Sequence, residues 1–135
     1  MIIHDLSVTV TPNTVTWENS EIGLRIETLC EVGPDSPAHV SLFTLGAHTG
    51  THLDAPKHFI AGGAPLEELD LNALVGPVSV VEIAGVHTID AAALAAARIK
   101  PGTTRLIIKT DNTARGLLFD SKFHADYVGV APDGA

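Results

Sequence analysis

Two short apolar segments, with a helix-forming segment between them, constrain the fold of this chain most. The segments VSVVEI at 78–83 and RLIIK at 105–109 are mostly apolar, which is typical of strands covered on both faces. Between them, IDAAALAAARIKPG offers Asp90 as a helix N-cap, a run of alanines, and Arg98 and Lys100 at the C-terminal end. A strand, helix, strand unit crosses over right-handed and makes its strands parallel. The sequence therefore predicts an α/β fold.

Other segments extend this prediction to the rest of the chain. Three more strands are predicted before the unit and one after it, in IIHDLSVTV at 2–10, IGLRIETL at 22–29, AHVSLFTLG at 38–46 and DYVGV at 126–130. PLEELDLNALVG at 65–76 predicts one or two helical turns. In the final APDGA, Pro132 and Asp133 form the first turn of a helix that the chain does not complete. A length of 135 residues and 45% apolar content predict a single domain, residues 1–135.

The charge and cysteine content narrow the function classes. A net charge of -8, with 16 acidic and 8 basic side chains, argues against binding to nucleic acid or to an anionic membrane. Cys30 is the single cysteine, so no internal disulfide forms, and its apolar neighbours predict a buried, inert thiol. The N-terminal residues lack a signal-peptide core. We expect a cytoplasmic protein.

The segment HTGTHLDAPKHF at 48–59 concentrates side chains that bind metals or transfer protons. A helix would turn Asp54 away from His48 and His52, because each residue rotates by about 100°. A straight strand would hold the two histidines roughly 13 Å apart, which is too far for one ion. Gly50 and Pro56 supply the backbone angles of a folded-back loop instead. The spacing therefore predicts a loop that brings these groups together.

Two interpretations of this loop remain open on spacing alone. Two imidazoles and a carboxylate form a ligand set that suits zinc, manganese or iron, and such ions activate water for attack on a carbonyl. His58, four residues after Asp54, is near enough in sequence to move protons beside the ion. Alternatively, the loop is a capped polar turn whose histidines hydrogen-bond to the backbone.

The residues HTGTHLDAPKHF closely resemble the signature of the cyclase-like metal-dependent hydrolases, the family that contains bacterial kynurenine formamidase and isatin hydrolase. The flanking segments follow the family's order over nearly the whole chain: DLSVTVTP, the Trp17 region, LVGPVSVVEI, LIIKTDN and FHADYVGVAPDGA. The resemblance implies a swivelling β/α/β cyclase-like fold with a mixed sheet and few helices. It also implies hydrolysis of a small amide or cyclic amide, as in the arylformamidase step of tryptophan catabolism, by dimers or tetramers.

The same resemblance implies residue roles. His48, His52 and Asp54 correspond to metal ligands for zinc or manganese, and His58 corresponds to the general acid/base. Trp17 and Phe43 are candidates to line an aromatic substrate pocket, although aromatic residues in strands are more often part of a core.

This chain departs from the family's pattern in two places. Trp17-Glu18-Asn19-Ser20 stands where the family often has a Trp-Pro-Gly-Asp turn, so that part of the substrate wall differs. The family's C-terminal part, with a further histidine and glutamate that complete a two-metal site, is absent, and His124 does not match the missing ligand. We therefore expect a one-metal site and an oligomer that covers exposed apolar surface. The alternative is a catalytically impaired homologue that acts as a metal- or ligand-binding oligomer.

Overall fold

The computed structural model describes residues 2–19 and 22–135, so Ser20, in the Trp17 turn, lies outside the described residues. The described chain is a mixture of short strands and few, short helices, as expected. The strands are β1 (Arg25–Cys30), β2 (Val40–Thr44), β3 (Ser79–Glu82), β4 (Thr88–Ile89), β5 (Leu106–Lys109) and β6 (Gly129–Val130). The α-helices are α1 (Leu71–Leu74), α2 (Ala91–Ala96) and α3 (Asp111–Ala114). Single 3₁₀ turns occupy Trp17–Asn19, Pro56–His58, Leu66–Glu68, Leu117–Phe119 and Pro132–Gly134.

The strands within the described residues pair as three small sheets, which together contain the parallel and antiparallel pairings of a mixed α/β fold. β1 and β2 are antiparallel, whereas β3 pairs with β5, and β4 with β6, in parallel. The predicted helical turns at 65–76 are confirmed by one 3₁₀ turn and by α1, where the Asp70 side chain accepts a hydrogen bond from the Asn72 backbone N–H.

The predicted strand, helix, strand unit is present. β3 and β5 are in parallel register from Ser79 opposite Leu106 to Glu82 opposite Lys109. The Asp90 carboxylate accepts a hydrogen bond of 2.7 Å from the Ala93 backbone N–H, so it caps α2 as predicted. The helix is shorter than predicted. It ends at Ala96, and Arg98 follows it with a φ of 51°, a left-handed conformation that stops helical hydrogen bonding.

The prediction that β3 and β5 are covered on both faces is wrong. Successive residues alternate between half-buried and exposed, and Val80 on β3 is 65% exposed. Burial instead concentrates in a small core of Ile83, Ile89 and Val128. The partly buried residues that pack against this core come from β3, β5, α2 and the adjoining turns: Val81, Val86, Ala93, Leu94, Ala97 and Ile108.

The segment 2–10 is not a strand, contrary to the prediction, because its backbone bonds elsewhere. The Val8 N–H donates to the side-chain hydroxyl of Thr51, 3.0 Å away, instead of to a neighbouring strand. Cys30, at the end of β1, is half-buried, and its sulfur lies 3.0 Å from the Ser36 hydroxyl. None of the helices among the described residues has the length and apolar character needed to cross a membrane.

The chain forms two compact units. The first runs up to His52 and includes residues 118–125, and it contains β1 and β2. The second comprises residues 53–117 and 126–135, and it contains the other strands, the α-helices of the described chain and the apolar core. The assignment of residues 1–135 to a single domain stays a prediction.

Candidate metal centre

The loop that follows β2 has the folded-back backbone that the sequence predicts. The Gly46 N–H donates to the Ile22 carbonyl at 2.8 Å, and the Thr49 N–H donates back to the Gly46 carbonyl at 3.2 Å. Gly50 then adopts a φ of 72°, in the left-handed region that glycine tolerates best. These contacts reverse the chain directly before His52.

The N-terminal segment fixes this reversal by packing against it. Thr51 is tied to Val8 by the hydrogen bond described above. A Cβ atom at Gly50 would lie only 2.7 Å from the Cγ2 atom of Val10, so the close packing itself requires glycine. Gly50 is therefore needed twice, for its backbone angle and for the approach of residues 8–10.

A second tight turn positions His58. The His58 N–H donates to the Ala55 carbonyl at 2.9 Å, and Pro56 begins the 3₁₀ turn because its φ is already helical. The Lys57 N–H bonds to the Ala64 carbonyl at 3.1 Å, which closes the loop on itself. The imidazole of His58 packs against the ring of Phe59, with centroids 4.1 Å apart.

His48 and His52 lie side by side. Nδ1 of His48 is 3.2 Å from Nε2 of His52. Two nitrogen ligands on one tetrahedral zinc ion, with bonds of 2.0–2.1 Å, stand about 3.3 Å apart. Nδ1 of His52 donates to the Gly50 carbonyl at 2.8 Å, so a neutral His52 ring presents an unprotonated Nε2. Nδ1 of His48 then donates a hydrogen bond to this Nε2, and the separation of the two atoms is also close to that of two ligands on one ion.

The carboxylate of the predicted ligand set lies in the same stretch of chain. Ligand atoms of His48, Asp54 and His58 all lie within 4.8 Å of one another, a local proximity along one continuous run of eleven residues. Two imidazoles and one carboxylate are a donor set that zinc and manganese accept. This group includes His58, which the resemblance assigns to proton transfer, and does not include His52, which the resemblance assigns as a ligand. The division of the ligand and proton-transfer roles between these two histidines therefore stays a prediction.

The two candidate aromatic residues have different surroundings. Trp17 packs against Phe123, with ring centroids 4.9 Å apart and planes inclined by 60°, and about half of its side chain is exposed. Phe43 lies on β2 opposite Ile26 and is 59% exposed. Sequence reasoning missed Phe123, because nothing in the spacing links residues that are more than 100 positions apart.

His124 is engaged in a local pair. Its Nε2 lies 2.7 Å from the Asp120 carboxylate, four residues earlier. The hydrogen bond from His124, helped by one from the Lys122 backbone N–H, holds the pKa of Asp120 below its usual value. The His124 side chain is thus paired with a nearby carboxylate, and it is not among the metal ligands expected from the sequence.

Comparison with known proteins gives consistent matches along the chain. A family model described as putative cyclase matches residues 4–135. Cyclase-like protein 3 of Arabidopsis thaliana is 36% identical over 138 residues, which cover 98% of this chain and 51% of that protein. Cyclase-like protein 1 of the same plant is 36% identical, with 98% and 54% coverage. The chain thus spans about half the length of the curated relatives it matches.

Two solved structures resemble the fold. One is described as a potential metal-dependent hydrolase with cyclase activity, with a TM-score of 0.75 and 28% identity over 97% of this chain and 59% of the other. The second is described as a predicted metal-dependent hydrolase from Bacillus stearothermophilus, with a TM-score of 0.70 and 27% identity over 97% and 60% of the two chains.

Proposed function

The chain belongs to the putative cyclase family, and from that membership we propose that it is a metal-dependent hydrolase of a small amide or cyclic amide. The observation that carries the proposal is the 3.2 Å separation between the ring nitrogens of His48 and His52, close to that of two ligands on one ion. The descriptions of the two similar structures as metal-dependent hydrolases support the same reaction class.

In this proposal His48, His52 and Asp54 hold one divalent ion, zinc or manganese, and His58 is the general acid/base. A bound ion would supply a Lewis acid for the carbonyl and would lower the pKa of water. His58 accepts the proton from the attacking water and delivers it to the leaving nitrogen as the C–N bond breaks. The 3₁₀ turn at Pro56–His58 supports this role, since it holds the ring at a fixed place in the loop.

The substrate class that we propose is an aryl formamide or a similar small ring amide, as for kynurenine formamidase in tryptophan catabolism in the cytoplasm. The exposed half of the Trp17 ring, braced by Phe123, provides a face on which an aromatic substrate can stack. Phe43 is the second proposed substrate contact. It is on the same unit as Trp17, and its side chain is exposed.

A second candidate function is a metal- or ligand-binding oligomer without catalysis. It is favoured by the exposed apolar side chains on β1 and β2. Ile26 and Phe43 face each other across β1 and β2 as an exposed apolar pair, which a second copy would cover in a dimer or tetramer. Binding tolerates a partial pocket, whereas hydrolysis needs one that excludes water.

The test is metal content per chain in tag-free protein, with three histidine variants. We expect about one ion per chain, lost in His52→Ala because the remaining ligands bind weakly. His39→Ala is the matched control, because its ring bonds to Glu31 and Ser41 outside the loop. His58→Ala should keep the ion and lose hydrolysis of an aryl formamide.

The outcomes separate the two candidate functions. Full metal content together with activity in His58→Ala refutes the acid/base role, and full metal content in His52→Ala refutes its role as a ligand. A parent chain that binds metal and hydrolyses none of the amides favours the binding oligomer. A parent chain that takes up neither zinc nor manganese contradicts both.

A further inference from the structure

Thr49 is a buried polar residue inside the histidine loop whose hydroxyl has no hydrogen-bond partner in the part of the chain that the structure describes. Only 6% of the residue is exposed. Its Oγ1 is the single buried side-chain oxygen or nitrogen that lacks a partner among the described residues. Such a group loses its hydration without compensation, so its presence in a loop of this kind requires an explanation.

The backbone N–H of Thr49 has a hydrogen-bond partner, in contrast to its side-chain hydroxyl among the described residues. The Thr49 N–H donates to the Gly46 carbonyl, and the next carbonyl, that of Gly50, accepts from His52. The neighbouring hydroxyl of Thr51 accepts the Val8 N–H. Of the two threonines that flank Gly50, therefore, one contributes its hydroxyl to the fold and the other does not.

Thr49 is next to a proposed metal ligand in the sequence. It directly follows His48, and residues 8–10 pack against the adjoining Gly50, so its side chain is enclosed together with the loop. Groups that hydrogen-bond to metal ligands orient them, and their loss typically weakens metal binding by about 10- to 100-fold. A threonine hydroxyl can both donate and accept, which suits a hydrated cation.

We propose that Thr49 is a positioning residue of the metal centre, whose hydroxyl obtains its hydrogen-bond partner from the hydrated divalent cation. The inference rests on the proposed function, because it needs the loop to bind a cation. It predicts opposite effects on two properties of one variant. In Thr49→Val, which keeps the β-branched shape and removes the hydroxyl, the metal-free protein gains stability while the affinity for the cation falls.

The experiment uses the parent chain and the variants Thr49→Val and Thr49→Ser. Dissociation constants for zinc and manganese are measured by competition with a chromogenic chelator, and melting temperatures are measured in excess chelator. Thr49→Val should bind about tenfold more weakly or worse, and its metal-free melting temperature should rise by about 2 to 4 °C. Thr49→Ser keeps the hydroxyl and loses the methyl group, and it should bind the cations within about threefold of the parent. If packing alone controlled the affinity, the loss of the methyl group would weaken binding in this variant too.

Thr51→Val is the matched control for the direction of the stability change. It removes a hydroxyl that accepts a backbone N–H, so its metal-free melting temperature should fall where that of Thr49→Val rises. Equal cation affinity in the parent and Thr49→Val overturns the inference and leaves the proposed function intact. An equal loss in Thr49→Ser and Thr49→Val assigns the effect to packing and also overturns it. A parent chain that binds no cation overturns the proposed function, and the inference with it.

Discussion

The histidine loop at 48–58 and the unit of β3, α2 and β5 are stabilised by contacts of very different range. In the unit, the Asp90 cap bonds three residues away, and its strands are apolar segments that pair directly. In the loop, the chain reversal at Gly50 depends on Val8 and Val10, about 40 positions earlier in the sequence. The difference shows that helices and strands form from sequence signals within them, whereas the conformation of an irregular loop depends on contacts with a segment far away in the sequence.

The same comparison separates stability from binding. The buried core residues Ile83, Ile89 and Val128 all belong to the second compact unit, residues 53–117 and 126–135. The loop contributes buried Thr49 but none of these core residues. We therefore expect substitutions in the core to act mainly on the free energy of unfolding, and substitutions at the chain reversal to act on metal binding as well.

The largest effect is expected from Ile89→Ala in the core. Ile89 is 2% exposed, and its replacement removes buried methyl groups and leaves a cavity, which costs about 2 to 4 kcal/mol of unfolding free energy. Urea denaturation followed by circular dichroism measures the loss. Val80→Ala, at an exposed position of β3, is the control and should change stability by about 0.5 kcal/mol or less. A loss at Val80 as large as that at Ile89 would show that another surface covers this face in solution.

Gly50→Ala is expected to have an intermediate effect on stability and a clear effect on metal binding. The new Cβ meets Val10 and adopts an unfavourable φ, which together cost about 1 to 3 kcal/mol. Gly62→Ala is the matched control, since Gly62 has a φ of 75° and nothing within 4 Å of the added Cβ. The difference between the two variants isolates the packing of the N-terminal segment. Equal melting temperatures and equal zinc affinities in both variants would contradict the dependence of the loop on residues 8–10.

The smallest effect is expected from Asp90→Ala at the start of α2. Loss of the cap leaves the Ala93 N–H without its side-chain acceptor and costs about 1 kcal/mol. Chemical denaturation should show this decrease, while zinc affinity stays equal to that of the parent. Asp90→Asn is the control that keeps an acceptor oxygen, and it should recover most of the stability. A change in zinc affinity in Asp90→Ala would contradict the expectation that the stability of α2 has no effect on metal binding by the histidine loop.

Much of the fold follows from local sequence patterns, and the errors have a common cause. The strands at β1, β2, β3 and β5, the cap at Asp90 and the turns at 65–76 are all found where periodicity and capping residues indicate them. Residues 2–10 alternate like a strand, yet Val8 bonds to a side chain in a distant loop. The exposed face of Val80 was also missed, because an apolar sequence does not specify which surfaces cover it.

The candidate site also has features that the sequence predicts and features that it does not. The types and spacing of His48, His52, Asp54 and His58 exclude a single helix and a straight strand, so the sequence leads to a folded loop with metal-ligand chemistry. It does not give the separation of two ring nitrogens. That separation depends on backbone angles at Gly50, which the packing of residues 8–10 selects.

The sequence by itself determined the α/β class, the parallel pairing of β3 with β5 and the group of side chains available to bind a metal ion. It did so because helix and strand periodicity and capping are short-range properties. Only the tertiary structure decided that ring nitrogens of His48 and His52 lie 3.2 Å apart and that Trp17 packs on Phe123. It also decided that Thr49 is buried with a hydroxyl that has no partner among residues 2–19 and 22–135. These features arise where segments far apart in the chain meet, and contacts of that kind leave no periodic signal in the sequence.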